Sequence, residues 1–214
     1  MAAPKFGVLA LQGDFAAHAA AFRTLGMTAR EVRRVAELDG LDGLMIPGGE
    51  STTLLNLMQD EPWFDALHRF HDAGGVLAGT CAGAILLSRE VRPHQPSLAL
   101  LDAIIERNAY GRQVDSFQTV ALAPALGGSI DAVFIRAPRF RALWPDVEVL
   151  ARVEREPVLV RQGRVVAATF HPELTRSPAL HRYLAELAAP ALVGTTTVNT
   201  GNVGGERTAP DQWI

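Results

Sequence analysis

The sequence predicts an α/β fold in three layers, in which a mixed, mostly parallel β-sheet carries helices on both faces. Two observations indicate this class. Short continuous apolar runs, at residues 6–11 and 44–46, are typical of strands that are buried on both faces. A helix-like, alanine-rich segment, residues 15–25, lies between such runs. The order strand, helix, strand favours a parallel sheet with helices on both sides.

The first half of the chain continues this pattern. Asp14 follows the first strand and is predicted to cap the first helix, which is expected to stop at Gly26. A second strand is predicted over residues 28–34. Residues 62–73 predict a helix with a proline in its first turn.

The second half predicts shorter elements. Residues 89–97, which contain Pro93 and Pro96, are expected to form a surface connection. The runs at 158–160 and 165–170 flank a glycine and indicate an antiparallel hairpin. Further short strands are predicted over residues 103–110, 117–123 and 132–135, and a final amphipathic helix over residues 180–188.

Composition limits the classes of function. The 214 residues are 48% hydrophobic and 20% charged, which suits one compact domain, expected over residues 1–192. Residues 193–214 are predicted to be a disordered tail, because the segment from residue 194 onward is rich in Thr, Gly and Asn. A single cysteine permits no internal disulfide, so a reducing, cytoplasmic setting is expected.

Two kinds of partner are not expected. A net charge of −3 with scattered arginines gives no electrostatic footprint for nucleic acid. No segment resembles a signal peptide, and no run approaches the roughly 18 apolar residues that a membrane span needs. The classes of function that remain are a small-molecule enzyme and an interaction domain.

The only cysteine lies where the periodicity changes from strand-like to helix-like. Small residues, Gly79-Thr80 before it and Ala82-Gly83 after it, surround Cys81. This pattern predicts a strand, a sharp turn and a helix N-terminus, which is the geometry of a nucleophile elbow. The helix dipole and free N–H groups there favour a thiolate. A buried structural thiol remains the alternative on this segment alone.

A second glycine-rich loop follows the third strand as Pro47-Gly48-Gly49-Glu50-Ser51-Thr52-Thr53. Two glycines before Ser and Thr at a helix start would present backbone N–H groups. The lysine of a Walker pattern is missing, so a phosphate loop is weakly supported. A loop that supplies N–H groups to an active site fits better.

His171 differs from the other histidines because it directly follows an apolar run and precedes Pro172. The proline restricts it to extended geometry at the carboxyl edge of the sheet. Glu173 can return to the ring and fix its tautomer, as in a triad. A His-Pro turn beside a solvated carboxylate is the alternative. The remaining histidines are expected to be solvated or to serve packing: His18, His68, His71, His94 and His181.

Cys81, His171 and Glu173 in this setting resemble the class I glutamine amidotransferases, whose triad is Cys-His-Glu and whose fold is flavodoxin-like. Within that group, further segments resemble the glutaminase subunits of pyridoxal 5′-phosphate synthases. These segments are residues 11–13, 47–52, 106–117, 134–138 and 169–175. The resemblance covers about residues 5–190, and the segment 106–117 is its most specific part.

The resemblance implies hydrolysis of L-glutamine to L-glutamate and ammonia, with the ammonia channelled to a barrel-shaped, multimeric synthase subunit in vitamin B6 biosynthesis. It implies that Cys81 is the nucleophile, that His171 is the base and acid, and that Glu173 orients His171. The oxyanion hole would use the N–H of Ala82 and one from Gly48 or Gly49. Positions matching the family's glutamine-binding residues are Gly49, Glu50, Ser51, Arg107, Ile135 and Arg136. No cofactor is expected, and one cysteine without close His/His or His/Cys spacing argues against a metal site.

Three other functions stay open at this point. A glutaminase serving another synthase, such as one for anthranilate or guanylate, would share the triad but not residues 106–117. A non-catalytic scaffold or thiol sensor on the same fold would release no ammonia from glutamine. A phosphate-binding module would bind nucleotides.

Overall fold

The structure is a computed structural model that describes residues 3–109, 116–189 and 211–212. The strands are β1 (Phe6–Leu9), β2 (Ala29–Val32), β3 (Gly43–Ile46), β4 (Val76–Thr80), β5 (Ser88–Arg92), β6 (Leu101–Glu106), β7 (Ser116–Ala123), β8 (Gly128–Ile135), β9 (Arg139–Leu143), β10 (Glu148–Val153), β11 (Glu156–Gln162), β12 (Val165–Ala168) and β13 (Asp211–Gln212). The α-helices are α1 (Phe15–Thr24), α2 (Ser51–Leu57), α3 (Trp63–Asp72), α4 (Ala82–Leu87) and α5 (Ala179–Ala188).

Nine strands form the main sheet in the order β2-β1-β3-β4-β12-β11-β10-β7-β8. The five strands from β2 to β12 in this order are parallel. The sheet continues antiparallel from β11 to β8. A smaller sheet has the order β13-β9-β6-β5. The predicted α/β class with a mixed sheet is therefore confirmed.

Alternating side chains of the parallel strands build two cores, one on each face of the main sheet. Phe6 and Val8 point to the face that α1 and α5 cover, where Phe6 stacks on Phe22 of α1 with 4.7 Å between ring centroids. Leu9 and Leu44 point to the opposite face, which α2, α3, α4 and the smaller sheet cover. Because both faces are covered, β1 and β3 are apolar throughout, as the continuous apolar runs indicate.

Residues 89–97 differ from the predicted surface connection, because their first part belongs to β5. This strand pairs in parallel with β6 in the smaller sheet. Val91 is buried whereas Glu90 and Arg92 are exposed. This strand has three charged side chains and one apolar side chain, and its sequence pattern therefore favours a loop. The prolines follow the strand.

Two further strands, β9 and β10, were not predicted from the sequence. In β9, Phe140 and Ala142 are buried while Arg139 and Arg141 are half-buried, so apolar residues alternate with arginine. Asp14 precedes α1 as predicted, but its side chain forms no capping hydrogen bond. Its backbone oxygen accepts from the N–H of His18 instead.

Part of the sequence prediction falls on residues that the structure does not describe. These are residues 110–115 of the segment 106–117, and most of the predicted tail over residues 193–214. Within the tail, Asp211–Gln212 pair with Ala142 and Leu143 of β9. Among the described residues, no helix is both long enough and apolar enough to cross a membrane.

Candidate active site

Cys81 lies at the sharp turn between β4 and α4, where the sequence predicts it. Its backbone has φ 47° and ψ −101°, a conformation that residues other than glycine rarely adopt. Hydrogen bonds hold this turn on both sides: the Cys81 N–H donates to Ala168 of β12, and the Ile85 N–H donates to the Cys81 carbonyl. Such a conformation costs about 1–3 kcal/mol and persists only where its surroundings enforce it. The structure therefore has a strained, buried turn at Cys81, with the strand–turn–helix shape that the sequence predicts.

The glycines flanking Cys81 let backbone segments approach closely. A Cβ at Gly83 would lie 2.2 Å from the carbonyl oxygen of Ile46 in β3. A Cβ at Gly79 would lie 2.4 Å from the carbonyl carbon of Gly83. Real Cβ atoms are not found at such distances, so only glycine allows α4 to begin this close to the sheet.

His171 and Glu173 form a buried pair just after β12. His171 Nδ1 lies 2.7 Å from Glu173 Oε1, and each residue is 8% exposed. The His171 N–H donates to the carbonyl of Val133 in β8, which fixes the turn against the neighbouring antiparallel strands. The interaction through Nδ1 leaves Nε2 as the ring nitrogen available to another group.

The electrostatics link this pair to Cys81. Burial alone lowers the pKa of His171, but hydrogen bonding and charge attraction from Cys81 and Glu173 outweigh it and raise the pKa to about 10. The imidazole is therefore protonated at neutral pH. The structure brings together the three residues that the sequence predicts as a triad.

The glycine-rich loop after β3 packs directly on this constellation. A Cβ at Gly48 would lie 2.4 Å from His171 Cε1 and 3.2 Å from the Cβ of Cys81. Ala82, the first residue of α4, directly follows Cys81 and is fully buried. Because the first N–H groups of a helix have no intrahelical acceptor, this end of α4 offers donors beside the thiol. The two predicted sources of oxyanion donors therefore flank Cys81.

Glu50, Ser51 and Arg107 form a polar group beside that loop. Arg107 Nη2 lies 3.4 Å from Glu50 Oε1, and the Glu50 carboxylate also accepts from the hydroxyl of Thr52. The Thr52 hydrogen bond, with a smaller contribution from Arg107, lowers the pKa of Glu50 against the opposing effect of burial. Ser51 is buried, and its hydroxyl donates to Gln95 Oε1 at 3.0 Å. Sequence reasoning did not identify Gln95.

Ile135 and Arg136 lie at the end of β8 and are both exposed. Arg136 has a positive φ of 41°, and the carbonyl of the following residue, Ala137, accepts from the N–H of Ala109 at 3.3 Å. The turn at Arg136 therefore adjoins the loop that carries Arg107. Arg136 forms no ion pair with another residue in the described part of the chain.

Two histidines that sequence reasoning left among solvated or packing residues lie directly behind the triad. His18 of α1 and His181 of α5 are fully buried. His18 Nε2 lies 3.2 Å from Glu173 Oε2. The signal in the sequence was helical spacing: His18 and Phe22 are four residues apart on the apolar face of α1. His68, His71 and His94, in contrast, reach solvent.

Comparisons with known proteins find a matching family and close relatives of this chain. The sequence profile of the SNO glutamine amidotransferase family matches residues 8–188. The chain is 55% identical over 185 residues to a pyridoxal 5′-phosphate synthase subunit PdxT from Thermus thermophilus, covering 85% of this chain and 96% of that protein. It is 49% identical over 188 residues to the subunit of the same name from Deinococcus radiodurans, with 85% and 96% covered.

Solved structures show the same likeness. A crystal structure described as a glutamine amidotransferase superposes with a TM-score of 0.81 at 53% identity, covering 86% of this chain and 98% of that one. The PurLQS structure from Thermotoga maritima matches with a TM-score of 0.64 at 14% identity, over 86% of this chain and 99% of the matched chain. The second match supports the fold alone.

Proposed function

The chain belongs to the SNO glutamine amidotransferase family, and from that premise we propose that it is the glutaminase subunit of a pyridoxal 5′-phosphate synthase. It hydrolyses L-glutamine to L-glutamate and ammonia and passes the ammonia to a synthase subunit. The observation that carries the proposal is Cys81 on a strained elbow beside the buried His171–Glu173 pair. The names of the similar proteins from Thermus and Deinococcus support the synthase. We assign the activity to the domain expected over residues 1–192.

The reaction begins at the sulfur of Cys81. The thiolate adds to the side-chain amide carbon of glutamine, so that a C–S bond forms and the carbonyl electrons move onto the oxygen. The N–H of Ala82 and one from Gly48 or Gly49 stabilise this oxyanion. One such donor typically contributes about 100- to 1000-fold in rate.

His171 then moves the protons. With a pKa of about 10 it holds a proton at neutral pH, which it gives to the amide nitrogen as the C–N bond breaks and ammonia leaves. The neutral imidazole next takes a proton from water, whose oxygen attacks the γ-glutamyl thioester. The C–S bond breaks, glutamate leaves and the thiolate is restored. Glu173, at 2.7 Å from Nδ1, keeps the imidazole oriented through both steps.

Arg107 is the better of two candidates for the α-carboxylate of glutamine. Its side chain is 16% exposed and is oriented by Glu50 at 3.4 Å, whereas Arg136 is exposed and lacks an ion pair among the described residues. A guanidinium fixed in this way suits bidentate pairing with a carboxylate. Glu50 and Ser51 would complete the pocket together with Gly49, and Ile135 would lie at its rim.

Delivery of ammonia requires a docked partner, because ammonia released into water at neutral pH becomes ammonium, which is not a nucleophile. We place the docking signal at the end of the first strand, Gln12-Gly13. Gln12 Oε1 accepts from the Glu50 N–H at 3.2 Å, and a Cβ at Gly13 would lie 1.8 Å from the Gly48 oxygen. A partner that moves this turn therefore also moves the loop that supplies the oxyanion donors.

The test is release of glutamate and ammonia from L-glutamine by the full chain, with and without the synthase subunit. We expect activity that rises when the synthase is present and is absent in Cys81→Ala. The matched control is Cys81→Ser, which keeps the elbow and a weaker nucleophile. Equal activity of Cys81→Ala and wild type would refute the proposal, as would complete inactivity of wild type in the complex. A full rate without the synthase would refute only the proposal that the partner activates the site through the Gln12-Gly13 turn.

A further inference from the structure

Behind the proposed triad, a row of buried polar side chains extends from Glu173 through His18 of α1 to His181 of α5. His18 Nδ1 lies 2.9 Å from His181 Nε2, and His18 Nε2 lies 3.2 Å from both Thr80 Oγ1 and Glu173 Oε2. Thr80 precedes the nucleophile in β4. Both histidines and Thr80 are 0% exposed. A core built for packing alone would use apolar side chains here, because buried polar groups cost free energy unless they are hydrogen-bonded.

Glu173 needs a second donor. Its Oε1 faces His171, while its Oε2 is buried and has no well-aligned hydrogen-bond donor among the described residues. The His18 Nε2 atom is already 3.2 Å from this oxygen and hydrogen-bonds with Thr80 Oγ1, so a small rotation of the ring turns its N–H from Thr80 toward Glu173. An unpaired buried charge is strongly disfavoured. A carboxylate with one unsatisfied oxygen would therefore rotate to find a donor for that oxygen, and this rotation would take Oε1 away from His171.

Both histidines are neutral. Burial, then the charges of His181 and His171, hold the pKa of His18 well below its usual value, and burial lowers the pKa of His181 to about 4. A neutral imidazole has one donor and one acceptor. If His18 carries its proton on Nε2, it donates toward Glu173 and accepts from His181 Nε2–H. The unpaired atom is then the acceptor His181 Nδ1 at the end of the row. The opposite tautomers would aim a lone pair at the carboxylate and leave a buried N–H unpaired.

We propose that His18, backed by His181, is a positioning residue of the glutaminase, donating from Nε2 to Glu173 Oε2 and so holding Oε1 against His171. The inference rests on the proposed function. It adds His18 of α1 and His181 of α5 to the three residues of the proposed triad. Phe22 stabilises the far ring, which it meets edge-on with 4.8 Å between centroids.

The first test needs no variant. In the full chain labelled with ¹⁵N at histidine, NMR at neutral pH distinguishes Nε2–H, Nδ1–H and doubly protonated rings. We expect the neutral Nε2–H tautomer for both His18 and His181. A His18 ring that carries its proton on Nδ1, or on both nitrogens, would overturn the proposal.

The second test compares His18→Phe, which keeps the ring without a donor, with His18→Gln, which keeps a donor and an acceptor. Activity is glutamate release by the full chain with the synthase subunit. We expect His18→Phe to lower kcat about 10- to 100-fold, the size of a lost hydrogen bond to a charged group, with KM changed less than about 3-fold. His18→Gln should restore kcat to within about 3-fold of wild type.

The pH profile separates positioning from packing. The groups that face His171 and Glu173 are Cys81 from the turn before α4, His18 from α1 and, through His18, His181 from α5. A misplaced Glu173 raises the pKa of His171 less, so the alkaline limb of kcat/KM should move to lower pH in His18→Phe only. Equal losses in both variants with an unmoved limb would mean packing and overturn the proposal, as would wild-type kcat in His18→Phe. Failure of the proposed function would differ: wild type itself would release no glutamate.

Discussion

Cys81 combines a strained backbone with a charged partner, and each has an identifiable cause. The positive φ is enforced by a hydrogen bond from the Cys81 N–H to β12 and by one from α4 to the Cys81 carbonyl, and these bonds fix the position of the thiol. His171 holds its proton because Cys81 and Glu173 attract the charged ring more than burial disfavours it. In the proposed mechanism, the residue that attacks and the residue that protonates the leaving group are therefore prepared before substrate arrives.

The raised pKa of His171 predicts the alkaline behaviour of the enzyme. Because the proposed mechanism uses the protonated ring for departure of ammonia, activity should fall as pH rises through about 10. Glu173→Gln removes one of the two interactions that raise this pKa, so its alkaline limb should lie at lower pH than that of wild type. The measurement is kcat/KM for glutamine against pH with the synthase subunit. The α-amino group of the substrate titrates identically in both enzymes, so the comparison cancels it. Coinciding limbs would contradict the assignment.

The raised pKa of His171 also makes the free energy of unfolding depend on pH. A histidine whose folded pKa is about 10, against 6.5 unfolded, stabilises the fold fully below pH 6.5 and loses that contribution as pH rises through 10. The free energy of unfolding of wild type should therefore decline over this window relative to His171→Gln. The measurement is denaturant unfolding of both proteins at several pH values, which needs no assay of activity.

Sequence reasoning identified Cys81, His171 and Glu173 because each lies at a local break in pattern: a glycine-flanked cysteine, and a His-Pro-Glu after an apolar run. It did not identify His18 or His181 as neighbours of the site, because their partners are brought together only by the packing of α1 against α5. His18 and His181 are 163 positions apart in the chain. Spacing within one helix indicates a buried face but not what that face meets.

At the scale of elements, the site is made by the ends of adjacent strands. β3 ends at the Gly48 loop, β4 ends at Cys81, and β12, which pairs with β4, leads to His171. Parallel neighbours bring their carboxyl ends to one edge, which is where open α/β sheets place their sites. The helix that follows β4 must then begin very close to β3, and Gly83 permits this.

Gly83→Ala is predicted to destabilise the protein although alanine favours helices. Gly83 lies inside α4, where alanine is preferred to glycine by about 1 kcal/mol in an exposed helix. The added Cβ would meet the Ile46 oxygen at 2.2 Å, and backbone cannot move aside as a flexible side chain can. We expect a net loss of about 1–3 kcal/mol in denaturant unfolding, together with loss of glutaminase activity as Cys81 shifts.

The control is Gly127→Ala, in the turn between β7 and β8. There the added Cβ meets open space, although the φ of 98° disfavours alanine. That variant should lose some stability and keep full activity. If Gly83→Ala were as stable and as active as wild type, the close packing of α4 on β3 would not be a constraint.

The element predictions failed where one face of a strand is charged. The continuous apolar runs of β1, β3 and β4 are buried on both faces and were predicted correctly. In β5, the buried Val91 lies between exposed Glu90 and Arg92, so the short alternation resembles a loop. Its partner in the smaller sheet, β6, lies beyond two prolines, and the sequence contains no local sign of that pairing.

For the whole molecule, the main sheet supplies both the rigid frame and the route by which a partner can act. β1 lies between β2 and β3, one strand in from the edge of the main sheet, and the chain leaves it through Leu11-Gln12-Gly13 beside the Gly48 loop. The sheet therefore places the turn that follows its first strand against the oxyanion loop. A partner that contacts this turn can therefore act on the Gly48 loop without entering the substrate pocket.

Gln12→Ala tests this coupling. The substitution removes the acceptor of the Glu50 N–H, at 3.2 Å, and so removes the side-chain link between the turn and the loop while leaving the triad untouched. We expect the synthase to bind as before but to stimulate glutamine hydrolysis less, by about 10-fold or more, as for a lost hydrogen bond in a preorganised site. The measurement is the ratio of rates with saturating synthase and without it. Gln59→Ala, an exposed glutamine next to α2, is the matched control and should keep the wild-type ratio. An unchanged ratio in Gln12→Ala would show that the partner acts on the oxyanion loop by another path.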